Sequence, residues 1–537
     1  MKILRFLLIL TFIPAGAIAG IGDVESEMTL PSACVTGIAF DGENIWTADR
    51  KTDRIYCVNY ESGEVTKSFS GPGYFMTGLA WDGEYLWVAD MDFTNTSTEA
   101  YSGKIYKIDP ETGKSLGVIN TPTPDPHGLA HDGEYLWFSD NSEKSITCIS
   151  PEDGTTIISF KSPSQDPRGL AWDGEYLWVA DRSKDEVYRV DTRTGSVIMI
   201  LPTPGPYPWG LSWADSKLLV SDYQTDLVST MTVFGDSRFK RSKERYSNIE
   251  FTQDIINFGP GRVEDLNVYL AVPRDRATQE IIDISYGHKQ DDFHTDRWGQ
   301  KVALFKRPTL DPQERFTCVM KVKAKIYDVS YYLFPEKVGS LGDIPEEISR
   351  SFLENNDKYR LEDPAIQKAV KEALDGEENP YWIARKIFDH LRENLFYKRV
   401  GGWDIAPTII KRGSGSCSEY AFLYIAMCRA AGIPARYSGA VVVRGEDACY
   451  DYVYHRWCEV FLPGYGWIPV DPSGGDQPWP RDQALYFGHL SNRFLITTEG
   501  GGASKYLNWD YNSYETYSAD GPVQLRMEKI AEWDTAE

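Results

Sequence analysis

The chain has 537 residues and a formal charge of −23, too long for a single hydrophobic core and strongly repelled by phosphate backbones, which excludes nucleic acid as a partner class. With 42% hydrophobic and 13% aromatic residues, it has the composition of a folded globular protein and not of a disordered one, and its length predicts about three or four domains.

Lys2 and Arg5 precede the apolar run from Phe6 to Ile13, and Ala17-Ile18-Ala19 has the small-x-small pattern of a signal peptidase site. Residues 1–19 are therefore expected to be a signal peptide cleaved before Gly20, with the product exported to the periplasm, cell surface or exterior. The apolar run is shorter than the roughly 20 residues a membrane span needs, and no later stretch is long enough. Losing Lys2 and Arg5 makes the charge two units more negative. The eight cysteines show no CxxC pair and no metal-ligand spacing, so neither metal nor cofactor is indicated. Cys34 with Cys57, or Cys449 with Cys458, are the pairs an exported chain would bridge.

From residue 20 to about 237 one unit recurs five times, beginning at Gly37, Gly78, Gly128, Gly169 and Gly210 and ending at Asp49, Asp90, Asp140, Asp181 and Asp222. In Gly169-Leu170-Ala171-Trp172-Asp173-Gly174-Glu175-Tyr176-Leu177-Trp178-Val179-Ala180-Asp181, an Asp-Gly pair between apolar runs predicts a tight hairpin. Two more strands follow, and four strands per roughly 40 residues is a propeller blade. The fifth unit lacks its fourth strand, whereas Glu27 to Leu30 has the pattern of one, so the N-terminal strand is expected to close a five-bladed propeller. Asp92 to Ser102 is expected to be a longer loop. The recurring Trp and Tyr read as blade packing and the recurring Asp as turn residues. The blades resemble those of exported propellers such as plant-type glutaminyl cyclases and NHL-like repeats.

Residues 238–340 open with the charged run from Arg238 to Arg245, expected to be a solvated linker. Strands are expected at Asn248 to Asn257, Leu266 to Val272, Glu280 to Ser285, Lys301 to Lys306 and Phe316 to Ile326, the last with clean alternation, giving an immunoglobulin-like β-sandwich.

In residues 341–537, Asp363-Pro364 and Asn379-Pro380 start two helices. Ser416 and Glu419 have capping-box spacing, so Ser416 should be the N-cap of a helix whose first residue is Cys417, and Gly432 with Pro434 should end it. A thiol at the first turn meets unpaired N–H groups and the positive end of the helix dipole, which favour the thiolate. His455 lies on a strand that should form a hairpin with the run from Trp467 to Asp471. Pairing Leu462 with Trp467 would leave Asp471 on the wrong face, so a one-residue bulge near Gly464 or Gly466 is expected, bringing Asp471 diagonal to His455. Singly, these residues read equally well as a core thiol, a strand histidine and a turn aspartate; together and in this order they read as nucleophile, base and orienter.

Gly415-Ser416-Cys417, Arg429 to Arg436, His455-Arg456-Trp457-Cys458-Glu459-Val460 and Gly466 to Pro472 resemble the transglutaminase-like superfamily over roughly residues 341–475. The resemblance implies an α+β papain-like fold with Cys417 as nucleophile, His455 as base and Asp471 as its orienter, acting on amide bonds of a protein or peptide through a thioester. An upstream tryptophan, Trp403, is a second candidate, and the backbone N–H of Cys417 is expected in an oxyanion hole. Peptidase activity is the favoured reading, amine transfer to glutamine the alternative. A non-catalytic scaffold working through the propeller, which is expected to bind substrate or a surface partner, is the reading from another class.

Overall fold

A computed structural model describes residues 19–91, 103–399, 403–445 and 448–535. Residues 1–18, where a leader is expected, and the loop expected at 92–102 lie outside the described residues. The rest falls into two compact units: residues up to 237 with 477–484, and residues 238–476 with 485 onward.

The first unit is strand-rich, with five antiparallel four-stranded sheets. In the first four repeats the Asp of the Asp-Gly turn accepts the indole N–H of the tryptophan five residues later: Trp46 to Asp41 at 2.8 Å, Trp87 to Asp82 at 2.8 Å, Trp137 to Asp132 at 2.7 Å and Trp178 to Asp173 at 3.0 Å. The Asp ending the second strand accepts N–H groups of the neighbouring turn, as Asp49 does from Lys51 and Thr52, so these carboxylates shape loops.

Val24–Thr29 pairs antiparallel with Leu227–Thr232, supplying the edge that the fifth repeat lacks. The innermost strands meet at their glycines. A Cβ on Gly37 would lie 2.7 Å from the Gly78 backbone, those on Gly78, Gly128 and Gly169 would collide with the backbone of the next sheet, and one on Gly210 would lie 3.0 Å from the Ile38 nitrogen. The last sheet thus returns to the first, as does the 2.9 Å bond from Phe40 N–H to Ser212 Oγ. Glycine recurs here because only its absent side chain permits this approach.

Residues 477–484, although they follow Asp471, belong to this unit. Arg481 donates twice to Glu186, at 2.8 and 2.6 Å, and Ala484 is buried among Ile146, Val179 and Tyr188.

The second unit departs from the expected division at 340. Phe239–Ala271 is one strand, so the stretch 239–245 is not a linker: its side chains through Glu244 are exposed, but its backbone pairs with that of Arg315–Tyr331. Ser513–Thr535 pairs with the later part of Phe239–Ala271, from Ser247 opposite Thr535 to Leu270 opposite Ser513. The result is an eight-stranded sheet containing strands from both ends of the unit. Register shifts between Asn257 and Arg262 mark a bend. Beyond it the halves face each other, with Tyr286 and Phe305 rings 5.7 Å apart and Phe251, Leu266, Val268, Met320 and Val322 in one buried cluster.

Side chains of this sheet also bond the remainder of the unit. Gln279 and Ile496 exchange bonds of 2.9 and 2.8 Å, and Gln300 accepts the Glu499 N–H at 2.9 Å. Arg276 and Arg436 bracket Glu459 and Glu499. A self-contained immunoglobulin-like sandwich is therefore not what these strands form: the C-terminal strand and these buried bonds make one body of the middle and C-terminal regions. All eight cysteines are free, so neither expected disulfide exists.

A candidate cysteine active site

Four helices and a four-stranded sheet build the site. Pro364–Leu374 and Pro380–Asn394 start where expected, their first N–H groups capped by the Asp363 and Asn379 side chains. Ala406–Arg412 ends at Gly413 in the left-handed region, and three residues later Ser416 caps Cys417–Ala430. Glu419 closes that cap, its carboxylate accepting the Ser416 N–H at 2.9 Å while Arg412 donates to its other oxygen at 2.6 Å. Gly432, at φ +85°, ends the helix, and the Ile433 N–H reaches back to the Cys428 carbonyl at 2.8 Å.

The helix packs against His455–Leu462, whose neighbours are Ala435–Val442 and Gly466–Val470. Leu462 pairs with Gly466 and Cys458 with Val470. Continued by one residue, this register sets Asp471 opposite Trp457, diagonal to His455 and on its face. The offset comes from a three-residue turn with Gly464 at φ +87°, not from a bulge: the ladder itself is regular.

His455 Nε2 lies 2.6 Å from Asp471 Oδ2. The other oxygen of Asp471 accepts from Ser473 Oγ at 2.7 Å and from the Ser473 and Gly474 N–H groups at 3.1 Å each, so only Oδ2 is left to orient the imidazole. Gly474 is required there, because a Cβ would collide with the Tyr486 ring. His455 stacks on Trp457 at 5.8 Å and on Phe494 at 5.6 Å. With Nε2 committed to Asp471, Nδ1 is the nitrogen that serves Cys417.

The His455 ring and the Arg456 backbone N–H lie near enough to Cys417 to stabilise its thiolate. Burial alone would raise the Cys417 pKa, but the His455 hydrogen bond and charge, with the Arg456 N–H, bring it below the ordinary thiol value. His455 is the mirror image: burial would lower it, yet the charge and hydrogen bond of Asp471 and the contact with Cys417 push it up to about 10. Burial opposes the charge of Asp471 as well, and the His455 charge and hydrogen bond hold its carboxyl below the usual range. Both shifts favour a thiolate facing an imidazolium over the neutral pair. In contrast, burial raises the thiols of Cys57, Cys148, Cys318, Cys428 and Cys458.

Sequence reasoning did not single out Arg456. Its fully buried guanidinium lies 4.4 Å from the Tyr511 ring, 4.7 Å from Trp403, 4.8 Å from Tyr437 and 5.1 Å from Phe422, and it donates to the Trp509 carbonyl at 2.6 Å. A charged residue on the helix-facing side of a buried strand was the available signal. Trp403 is thus part of the aromatic wall around Arg456. Tyr511, from the loop after Gly500, and Tyr397 sit close enough to Cys417 for its charge to raise their phenol pKa, after burial. Among the described residues no three His, Cys, Asp or Glu side chains stand together in a way that would hold a metal.

Residues 367–472 match the Transglutaminase-like superfamily, a span that includes Cys417, His455 and Asp471. This stretch is a transglutaminase-like domain. No curated protein matches the chain. Among solved structures, similarity is found to a provisionally assigned cysteine protease from Cytophaga hutchinsonii, at 16% identity and TM-score 0.38, covering 55% of this chain and all of that one. Glutaminyl cyclase of Myxococcus xanthus matches at 13% identity and TM-score 0.34, over 39% of this chain and 94% of its own. Virginiamycin B lyase of Staphylococcus aureus, in complex with quinupristin, matches at 20% identity and TM-score 0.26, over 38% and 68%. At these identities and scores none of the three identifies the activity of the transglutaminase-like domain.

Proposed function

We propose that the chain is an exported cysteine enzyme that cleaves amide bonds of a protein or peptide through an acyl-enzyme on Cys417. The observation that carries this reading is the 2.6 Å pair of His455 with Asp471 set beside Cys417, whose thiol pKa His455 lowers. The Cys417 thiolate attacks the amide carbonyl carbon, forming a C–S bond and an oxyanion. The Cys417 backbone N–H, at the first turn of its helix, has no acceptor four residues back and supports that oxyanion. As the C–N bond breaks, His455 gives its Nδ1 proton to the departing amine, leaving a thioester. Neutral His455 then takes a proton from water as it attacks, and C–S cleavage releases the acid and restores the thiolate.

An amine in place of water would complete a transamidation by the same steps. Hydrolysis is the reading preferred here, in keeping with the signal-like leader expected at residues 1–19. The five-sheet ring, read as a five-bladed propeller, then serves as a tethered binding module that raises the local concentration of a large substrate.

The test is intact-mass analysis after brief exposure to an activated peptide ester, with and without a primary amine. The reading requires a mass increase of one acyl group on the wild type, absent in Cys417→Ala, and free acid as the main product. Amide as the main product would replace hydrolysis by transamidation, and no acyl adduct would refute the cysteine mechanism.

A further inference from the structure

Where the five repeats depart from one another, they do so at one end of the ring axis. The residue before each axial glycine is Thr36, Thr77, His127, Arg168 and Trp209 in turn. In the first two sheets this residue is structural: Thr36 Oγ1 donates to the Met76 carbonyl and Thr77 Oγ1 to the Pro126 carbonyl, both at 2.6 Å, tying each sheet to the next.

Where His127 replaces threonine, the neighbouring strand changes from the alanine of Ala48 and Ala89 to Ser139, whose hydroxyl donates to the Arg168 carbonyl at 2.6 Å. Where Trp209 replaces it, Ser221 occupies the same neighbouring position and accepts the Gly210 N–H at 2.8 Å. The hydroxyl has moved across one strand, and the axial position is released from its structural duty. Burying a histidine, an arginine and a tryptophan there is costly to the framework, which needs none of them.

These side chains form one group. Arg168 Nη1 lies 2.6 Å from His127 Nε2 and Nη2 lies 2.5 Å from Asp166, while His127 is 3.2 Å from Asp125. The Arg168 guanidinium sits 4.6 Å from the Trp209 ring, with the Tyr223 ring 4.8 Å from the same indole. Arg168 and Trp209 are 4% and 5% exposed, and Arg168 Nε and Trp209 Nε1 have no hydrogen-bond partner among the described residues. Arg182 is more open and is bonded through Nε to Asp166 at 2.8 Å. Among the described residues of the ring, the aromatic side chains classed as exposed are Tyr74 and Tyr207, and both belong to loops leading into the innermost strands at this end.

Two guanidiniums are matched by two carboxylates, so the group is close to neutral while offering both donors and acceptors beside aromatic faces. A free anion is poorly served by such balance. A vicinal diol is well served, since each hydroxyl both donates and accepts and the C–H face of a sugar ring packs on an aromatic one.

We propose that this end of the ring is a saccharide-binding site, with Arg182 and Asp125 bonding ring hydroxyls and Tyr207 and Tyr223 carrying the sugar face. It stands independently of the chemistry at Cys417. The test is calorimetric titration of the full-length protein with three neutral trisaccharides, chitotriose, cellotriose and maltotriose, alongside N-acetylphenylalanine as an aromatic carboxylate. Saturable binding of at least one trisaccharide is expected, weakened at least tenfold by Arg182→Ala and by Tyr207→Ala and unchanged by Arg193→Ala, an exposed arginine elsewhere on the ring. Binding of none of the three, binding of the carboxylate alone, or binding indifferent to both variants overturns the proposal.

Discussion

Asp471 Oδ2 and His455 Nε2 are 2.6 Å apart because a three-residue turn shifts the register between them by one position. The same shift commits Nε2 to Asp471, so in the proposed mechanism Nδ1 is the nitrogen that exchanges a proton with Cys417. A hairpin whose residues 463–465 were shortened or lengthened by one would carry Asp471 to the other face of the sheet.

Cys417→Ala should abolish acyl-enzyme formation and turnover while changing stability by less than about 1 kcal/mol, since alanine is well suited to a helix interior. Cys428→Ala and Cys458→Ala should keep acylation. Peptide mapping of the acylated protein and a denaturant titration check both halves of this expectation.

His455→Ala should change the pH dependence of alkylation. In the wild type the Cys417 pKa is lowered and that of His455 is near 10, so alkylation should set in at a lower pH than for an ordinary thiol, and the imidazolium should persist until His455 loses its proton as pH rises through about 10. Without the imidazole, burial dominates and the thiol pKa rises, so alkylation at pH 6 should fall by about tenfold or more. Iodoacetamide rates between pH 5 and 10 give the profile. The linkage to stability has the same sign: a group whose pKa is raised on folding stabilises fully below its unfolded value of about 6.5 and ceases to do so as pH rises through about 10.

Asp471→Asn should leave the fold and the thiol in place yet lower kcat by about 10²–10⁴-fold, because an amide does not stabilise the imidazolium or hold its tautomer in the same way. Single-turnover acylation rates separate this from a binding defect. If only KM changes, Asp471 does not orient His455.

Glu459→Ala should destabilise the second unit by about 3–5 kcal/mol, since it removes a carboxylate buried between Arg276 and Arg436 and leaves both guanidiniums short of a partner. Burial opposes the charge of Glu459, but these arginines hold its pKa at about 2. A carboxyl whose pKa is depressed on folding contributes stability above its unfolded value, near 4.3, and loses it as pH falls through about 2. Urea midpoints of wild type and variant at pH 7 and pH 3 measure the difference.

The Cys417 helix was legible because its signals are local: Ser416, Glu419, Gly432 and Pro434 each act within a turn or two of their partners. The repeat was legible for the same reason, its Asp–Trp pairs being five residues apart. The strand at 239–245 was not, since its side chains are mostly exposed and carry no apolar alternation to set against their charge. Nor was the full length of Ser513–Thr535, interrupted by Asp520-Gly521-Pro522, a turn-like tripeptide that lies in a strand with irregular register. The placement of residues 477–484 in the first unit depends on Arg481 meeting Glu186, 295 residues away, and nothing nearby announces it.

The pairing of Ser513–Thr535 with Phe239–Ala271 also sets a timetable. On the ribosome, one edge of the earlier strand has no partner until roughly 240 more residues have been made, which at about 5–20 residues per second is a delay of some 10–50 s. An unpaired edge is a template for other strands throughout that interval. The run from Lys240 to Arg245 precedes that stretch and pairs with Arg315–Tyr331, a strand made much earlier, so the wait is confined to Ser247 through Leu270.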